Sequence, residues 1–97
     1  MKKAIIVVDM QNDFITGALA SAAAEAVIPG IAALLEANAA AAEPAQVFFT
    51  KDTHGPDYLE TQEGRKLPVA HCLRGTPGWK ICPGLAPFAA QSRVIEK

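Results

Sequence analysis

Little in this chain is made for crosslinking, export or nucleic acid. Its 97 residues include only two cysteines, Cys72 and Cys82. Two are too few for a disulfide framework, so both are read as reduced thiols. No excess of either charge is present: nine Lys and Arg stand against ten Asp and Glu, for a net charge of −1. With both signs dispersed, there is no electrostatic footprint for nucleic acid or an anionic membrane surface. No apolar run approaches the roughly 20 residues that span a bilayer. Met1-Lys2-Lys3 imitates the start of a signal peptide, but the apolar run behind it stops at Asp9 with no small-residue cleavage site beside it. The expectation is a cytoplasmic protein. Histidine is scarce too, limited to His54 and His71.

What is present is enough for one small globular domain, with 51% of residues apolar. Ala4–Val8 (AIIVV) is an unbroken, largely β-branched run, as expected of a parallel strand covered on both faces. A strand is predicted over Lys3–Asp9. From Ala18 to Ala42, 13 of 25 residues are alanine. Alanine is the strongest helix former, whereas flexible linkers are rich in Gly and Ser. Val27, Ile31, Leu34 and Leu35 fall on one helical stripe, Ser21 can cap, and Pro29 is tolerable only in a first turn. One helix is predicted over Ala22–Ala42. A second strand follows at Gln46–Lys51 and a third at Ser92–Lys97. Strand–helix–strand is a right-handed βαβ unit. Between the later strands, Thr53–Pro87 holds five of the seven prolines and five of the seven glycines. That is a long loop with short helical turns, kept ordered by Tyr58, Leu67, Leu73 and Trp79.

Chemistry-bearing residues cluster where strands end, the side on which open α/β sheets bind ligands. Asp9 is the first polar group after a buried strand, placed either for base duty or to accept backbone N–H bonds at the turn. Asp52 and His54, at i and i+2 after the second strand, project to one side, and His71 can return to them. Three such donors with open positions make a catalytic metal site, suited to Zn²⁺, Fe²⁺ or Mn²⁺. The competing reading is two histidines on a polar surface loop. Glu63, or Glu60, is a candidate fourth ligand. Cys72 is read as a small buried side chain. Lys97 closes an apolar strand and, taken alone, reads as a solvated edge charge.

In this order the motifs resemble the isochorismatase-like cysteine hydrolases, the superfamily containing nicotinamidases. A strand into D-x-Q-x-D-F stands as Asp9-Met10-Gln11-Asn12-Asp13-Phe14. T-x-D-x-H stands as Thr50-Lys51-Asp52-Thr53-His54, and P-x-x-H-C-x-x-G-T-x-G as Pro68 to Gly78. A strand into Lys stands as Val94-Ile95-Glu96-Lys97. The resemblance implies a three-layer α/β/α, doubly wound parallel sheet of which this chain holds the first three strands, residues 1–97 forming the N-terminal half of one domain. It implies Asp9 and Lys97 as two members of an Asp–Lys–Cys triad whose cysteine lies downstream of this sequence. It also implies Asp52, His54 and His71 as ligands of a divalent metal, and a pocket at Phe14 and Gln11, with Trp79 either pocket wall or core. The chain departs from the nicotinamidase pattern D-W-H-P-x-x-H at Thr53, Gly55 and Tyr58.

The implied reaction is hydrolysis of a small, nicotinamide-like amide to acid and ammonia through a thioester. At about 4 Å and an effective dielectric near 20, the Lys97 ammonium would favour a thiolate by about 4 kcal/mol. Two other functions remain: an isochorismatase-type vinyl ether hydrolase without a cysteine nucleophile, and a non-catalytic binding or assembly subunit. A phosphatase is disfavoured because Gln11 stands where D-x-D needs its second acid. One long helix cannot cover both faces of three parallel strands. Further polypeptide is therefore expected over the sheet, as a missing C-terminal half, a complementary chain or a homo-oligomer partner.

Overall fold

In the computed structural model, residues 2–97 are described, and their secondary structure follows the apolar runs closely. The strands are β1 (Ala4–Val8), β2 (Gln46–Lys51) and β3 (Arg93–Glu96), joined as one parallel sheet in the order β1-β2-β3. Ala4 pairs with Gln46 and Val8 with Thr50, while Phe48 pairs with Arg93 and Lys51 with Glu96. The Lys97 N–H donates to the Lys51 carbonyl at 2.8 Å, so pairing continues past β3 to the last residue.

The alanine-rich tract forms α2 (Ala22–Ala26) and α3 (Ile28–Ala40), after a one-turn α1 (Asn12–Ile15). The single helix expected over Ala22–Ala42 is therefore broken at Val27. Pro29 explains it: without an N–H, proline suits only a helix start, and the chain restarts so that Pro29 falls in the first turn of α3. Ser21 caps α2 by accepting the Ala24 N–H at 3.2 Å. The expected stripe is also shifted. Ile28, Ile31, Ala32 and Leu35 face the core, whereas Val27 and Leu34 are exposed. By length and composition Ala22–Ala40 does reach the apolarity of a membrane span, contrary to the sequence expectation, with a mean hydropathy of 1.3. Val27, Ile28, Ile31, Leu34 and Leu35 supply that value together with the alanines, and Ile28, Ile31 and Leu35 of this set pack on the core.

The core lies between this helix layer and one face of the sheet, with Val7, Leu35, Phe49, Cys82 and Leu85 all buried. The other face is open. Ile6 is 61% and Val8 59% exposed, so β1 is covered on one side only, not on both as its composition implied. Between Lys51 and β3 the chain makes a 3-10 turn at Tyr58–Glu60, α4 (Gln62–Lys66), a 3-10 turn at Pro77–Trp79 and α5 (Ala86–Ala89). This loop is stitched to the strand ends by backbone pairing. Gln11 bridges Ile81 antiparallel and His54 bridges Leu73 parallel, with Cys82 N–H donating to Met10 O and His54 N–H to Cys72 O, each at 2.9 Å.

Candidate active site and metal centre

Asp9 leaves β1 with φ 51°, a left-handed conformation that aspartate tolerates better than most residues. Its N–H donates to the Thr50 carbonyl at the end of β2 and to Thr50 Oγ1, both at 3.1 Å. The Thr50 hydroxyl donates to Asp9 Oδ1 at 2.6 Å, and Lys97 Nζ donates to Asp9 Oδ2 at 2.7 Å. Three strand ends thus converge on one carboxylate. That hydrogen bond raises the Lys97 pKa above its ordinary value against the opposing effect of burial, keeping the ammonium charged at neutral pH.

The second cluster sits on the loops beyond β2. His54 Nε2 lies 3.0 Å and His71 Nε2 3.5 Å from Asp52 Oδ2, and one donor atom from each of the three residues lies within 4.8 Å of the others. His71 Nδ1 is 2.7 Å from the Val69 carbonyl, so Nδ1–H donates there and Nε2 is the ring nitrogen directed at Asp52. This hard-and-borderline donor set of one carboxylate and two imidazoles fits a divalent ion such as zinc. Tyr58, buried, packs against both imidazoles, its ring 4.6 Å from His54 and 5.0 Å from His71, while the two imidazoles meet edge-on at 5.0 Å; its hydroxyl donates to Leu67 O at 2.8 Å. Burial among Glu63 and Asp52 pushes its phenol pKa up. Phe14 stands edge-on to His71 at 5.6 Å. Glu63 Oε2 is 3.5 Å from His54 Nδ1, at the rim rather than within the three-donor cluster, and Glu60 is exposed and outside it.

The thiols differ in kind from these groups. Cys72 is fully buried, and desolvation together with the Asp52, Asp13 and Asp9 carboxylates pushes its pKa up to about 12. Burial likewise raises that of Cys82. Both are protonated at neutral pH, which suits packing and opposes nucleophilic attack.

Comparison with known proteins decides the lineage: residues 3–97 match the isochorismatase domain. The chain belongs to the isochorismatase family. It is 35% identical over 94 residues to the nicotinamidase/pyrazinamidase of Mycobacterium tuberculosis (strain ATCC 25618 / H37Rv), covering 93% of this chain and 49% of that protein. Among solved structures, N-carbamoylsarcosine amidase from Thermoplasma acidophilum superposes with a TM-score of 0.82 at 31% identity, over 100% of this chain and 52% of that one. Pyrazinamidase of Pyrococcus horikoshii, solved in complex with zinc, gives 0.74 at 27% identity, over 100% and 52%. The chain spans about half the length of the relatives it matches. The family α/β fold is present here as its three-stranded parallel sheet with helices.

Against this family frame, the geometry brings Asp9 and Lys97 together and gathers Asp52, His54 and His71. Gln11 departs from expectation. Its side chain is fully buried and its amide is committed to backbone: Nε2 donates to Asp52 O at 2.9 Å and Trp79 O at 2.7 Å, and Oε1 accepts from Asp52 N–H at 2.9 Å. No hydrogen-bonding edge remains for a substrate. Trp79 is half-buried, with the Lys51 ammonium 3.1 Å over its ring and its indole N–H donating to Thr53 Oγ1 at 3.0 Å. It packs the loop. Sequence reasoning gave no role to Thr50, the hydroxyl partner of Asp9, or to Tyr58 as the ring packed on both imidazoles. Thr50 was within reach, since it faces Asp9 from the neighbouring strand end.

Proposed function

We propose that this chain is the N-terminal half of a metal-dependent amidohydrolase domain that cleaves a small, nicotinamide-like amide to acid and ammonia through a thioester. The observation that carries the reading is the paired Asp9 and Lys97 at the same sheet end as the Asp52, His54 and His71 cluster. The buried, protonated state of Cys72 and Cys82 speaks against either as the nucleophile, which this reading assigns to a cysteine on further polypeptide. Asp9 takes the proton from that thiol, and Lys97 holds the resulting negative charge. Sulfur bonds to the amide carbon. As the C–N bond breaks, Asp9 returns its proton to the departing nitrogen, releasing ammonia. Asp9 then takes a proton from water, whose oxygen attacks the thioester carbon, and as the C–S bond breaks Asp9 passes that proton to the sulfur, which leaves as thiol. Phe14 lines the substrate side beside His71. A divalent ion on Asp52, His54 and His71, zinc first and iron or manganese next, would act as a Lewis acid that orients the substrate. The donor trio favours this over isochorismatase-type chemistry.

The test is ammonia release from nicotinamide and pyrazinamide, by this chain alone and by the polypeptide encoded in continuous frame beyond codon 97. The reading expects turnover only from the longer product, lost on substitution of its downstream cysteine. Turnover by a mass-verified 97-residue chain, or pyruvate release from isochorismate in place of ammonia, rejects it.

A further inference from the structure

We propose that Gln11 and Asp13 are positioning residues of the metal centre, each bracing one of the two loops that carry its ligands. The inference rests on the metal reading above and assigns work to two residues that touch neither metal nor substrate. Both belong to the short segment after Asp9, so one loop would set the acid and the metal ligands together.

Gln11 is the stronger of the two. A carboxamide offers an acceptor and two donors, and all are used on backbone: one side grips both the N–H and the carbonyl of Asp52, the other ties the Trp79 carbonyl. Gripping both peptide groups of one residue fixes its rotation about the chain, and with it the direction of the Asp52 carboxylate. Glutamate in place of Gln11 would keep an acceptor for the Asp52 N–H but turn carboxylate oxygens on two carbonyls.

Asp13 braces the second loop. Its Oδ2 accepts the Cys72 N–H at 2.8 Å, and Oδ1 accepts the Ala18 N–H at 3.3 Å. Cys72 has φ 50°, a conformation that side chains other than glycine hold only under outside constraint, and it directly follows His71. The Asp13 contact supplies that constraint. An independent observation agrees. A Cβ at either Gly17 or Gly78 would strike the Asp13 carboxyl, so the niche is kept open from two sides.

Outer partners of metal ligands typically hold 10- to 100-fold of affinity when removed. In the 97-residue chain, Gln11→Met, Gln11→Glu and Asp13→Asn are each expected to weaken Zn²⁺ binding by about ten- to hundredfold in chelator competition. The same variants should shift the visible bands of the Co²⁺-substituted protein, which a merely structural role would leave alone. A variant that is folded by circular dichroism yet binds Zn²⁺ with unchanged affinity and an unchanged Co²⁺ spectrum overturns the proposal. Should the variants not fold, hydrogen exchange in the unsubstituted chain decides. Zn²⁺ is expected to slow exchange of the Asp52 and Cys72 amides, and no slowing overturns the proposal. If the unsubstituted chain binds no divalent ion at all, the metal reading itself fails. Tight binding with indifferent variants defeats only the role given to Gln11 and Asp13.

Discussion

Asp9 holds a left-handed backbone that costs a side-chain-bearing residue roughly 1–3 kcal/mol, and among the described residues only Cys72 shares that sign of φ without being glycine. Both flank the site, one beside Lys97 and the other beside His71. The conformation turns the Asp9 carboxylate back across the end of β2, where Thr50 and Lys97 meet it. Asp9→Asn is expected to lower the Lys97 titration midpoint, because the hydrogen bond to a carboxylate is the main influence raising it. A ¹³C-detected titration of the lysine side chain would read this, and an unmoved midpoint would count against the pairing. The thiols give a second expectation. A group whose folded pKa is raised stabilises below its unfolded pKa and loses that contribution as pH climbs. Cys72, ordinarily near 9 and pushed to about 12 in the fold, should therefore erode stability across that interval as the unfolded thiol ionises. Urea titrations at pH 8 and pH 10 check it, and Cys72→Ala should flatten the difference. Neither thiol should react with iodoacetamide at pH 8 until urea is added.

At the scale of the elements, the long loop after β2 behaves as structure. Tyr58 joins it to the metal cluster, and Thr61 caps α4 by accepting the Gly64 N–H at 3.0 Å. Tyr58→Phe removes a buried hydrogen bond to Leu67 O and is expected to cost about 1 kcal/mol, measured by urea denaturation. Ser21→Ala should cost a similar amount, about 1 kcal/mol, through loss of the α2 cap. The strands were legible because an apolar β-branched run has few alternatives, and β2 matches its expected bounds, Gln46–Lys51. The grouping of Asp52, His54 and His71 was legible from residue types and spacing. The break at Val27 was less so, since alanine favours helix on both sides and only the restart at Pro29 places it. The direction of the Gln11 side chain was hidden for a different reason. A buried amide satisfied by backbone and a pocket amide offered to ligand look alike in one sequence, and only the register of three loops separates them.

Taken whole, the molecule is one layer of helices on one face of a three-stranded sheet. Ile6, Val8 and Ile95 lie exposed on the bare face, and β1 and β3 are both sheet edges. Register pairs Ile6 with Phe48 and Val8 with Thr50. Burying such side chains is worth about 1.5–3 kcal/mol each, so the proposed further polypeptide has a surface ready to cover. The 97-residue chain by itself should associate with other copies as concentration rises, seen in sedimentation velocity, and Ile6→Lys should reduce that association. A strictly monomeric chain at high concentration would count against the bare face as a docking surface.

X-ray absorption of the zinc-loaded chain tests the central claim most directly. The account predicts one ion per chain with two imidazole ligands and light oxygen donors. Loss of one imidazole in His54→Ala or in His71→Ala should follow, as should loss of stoichiometric binding in Asp52→Asn. Zinc bound without imidazole scattering, or retained unchanged in all three variants, would contradict it.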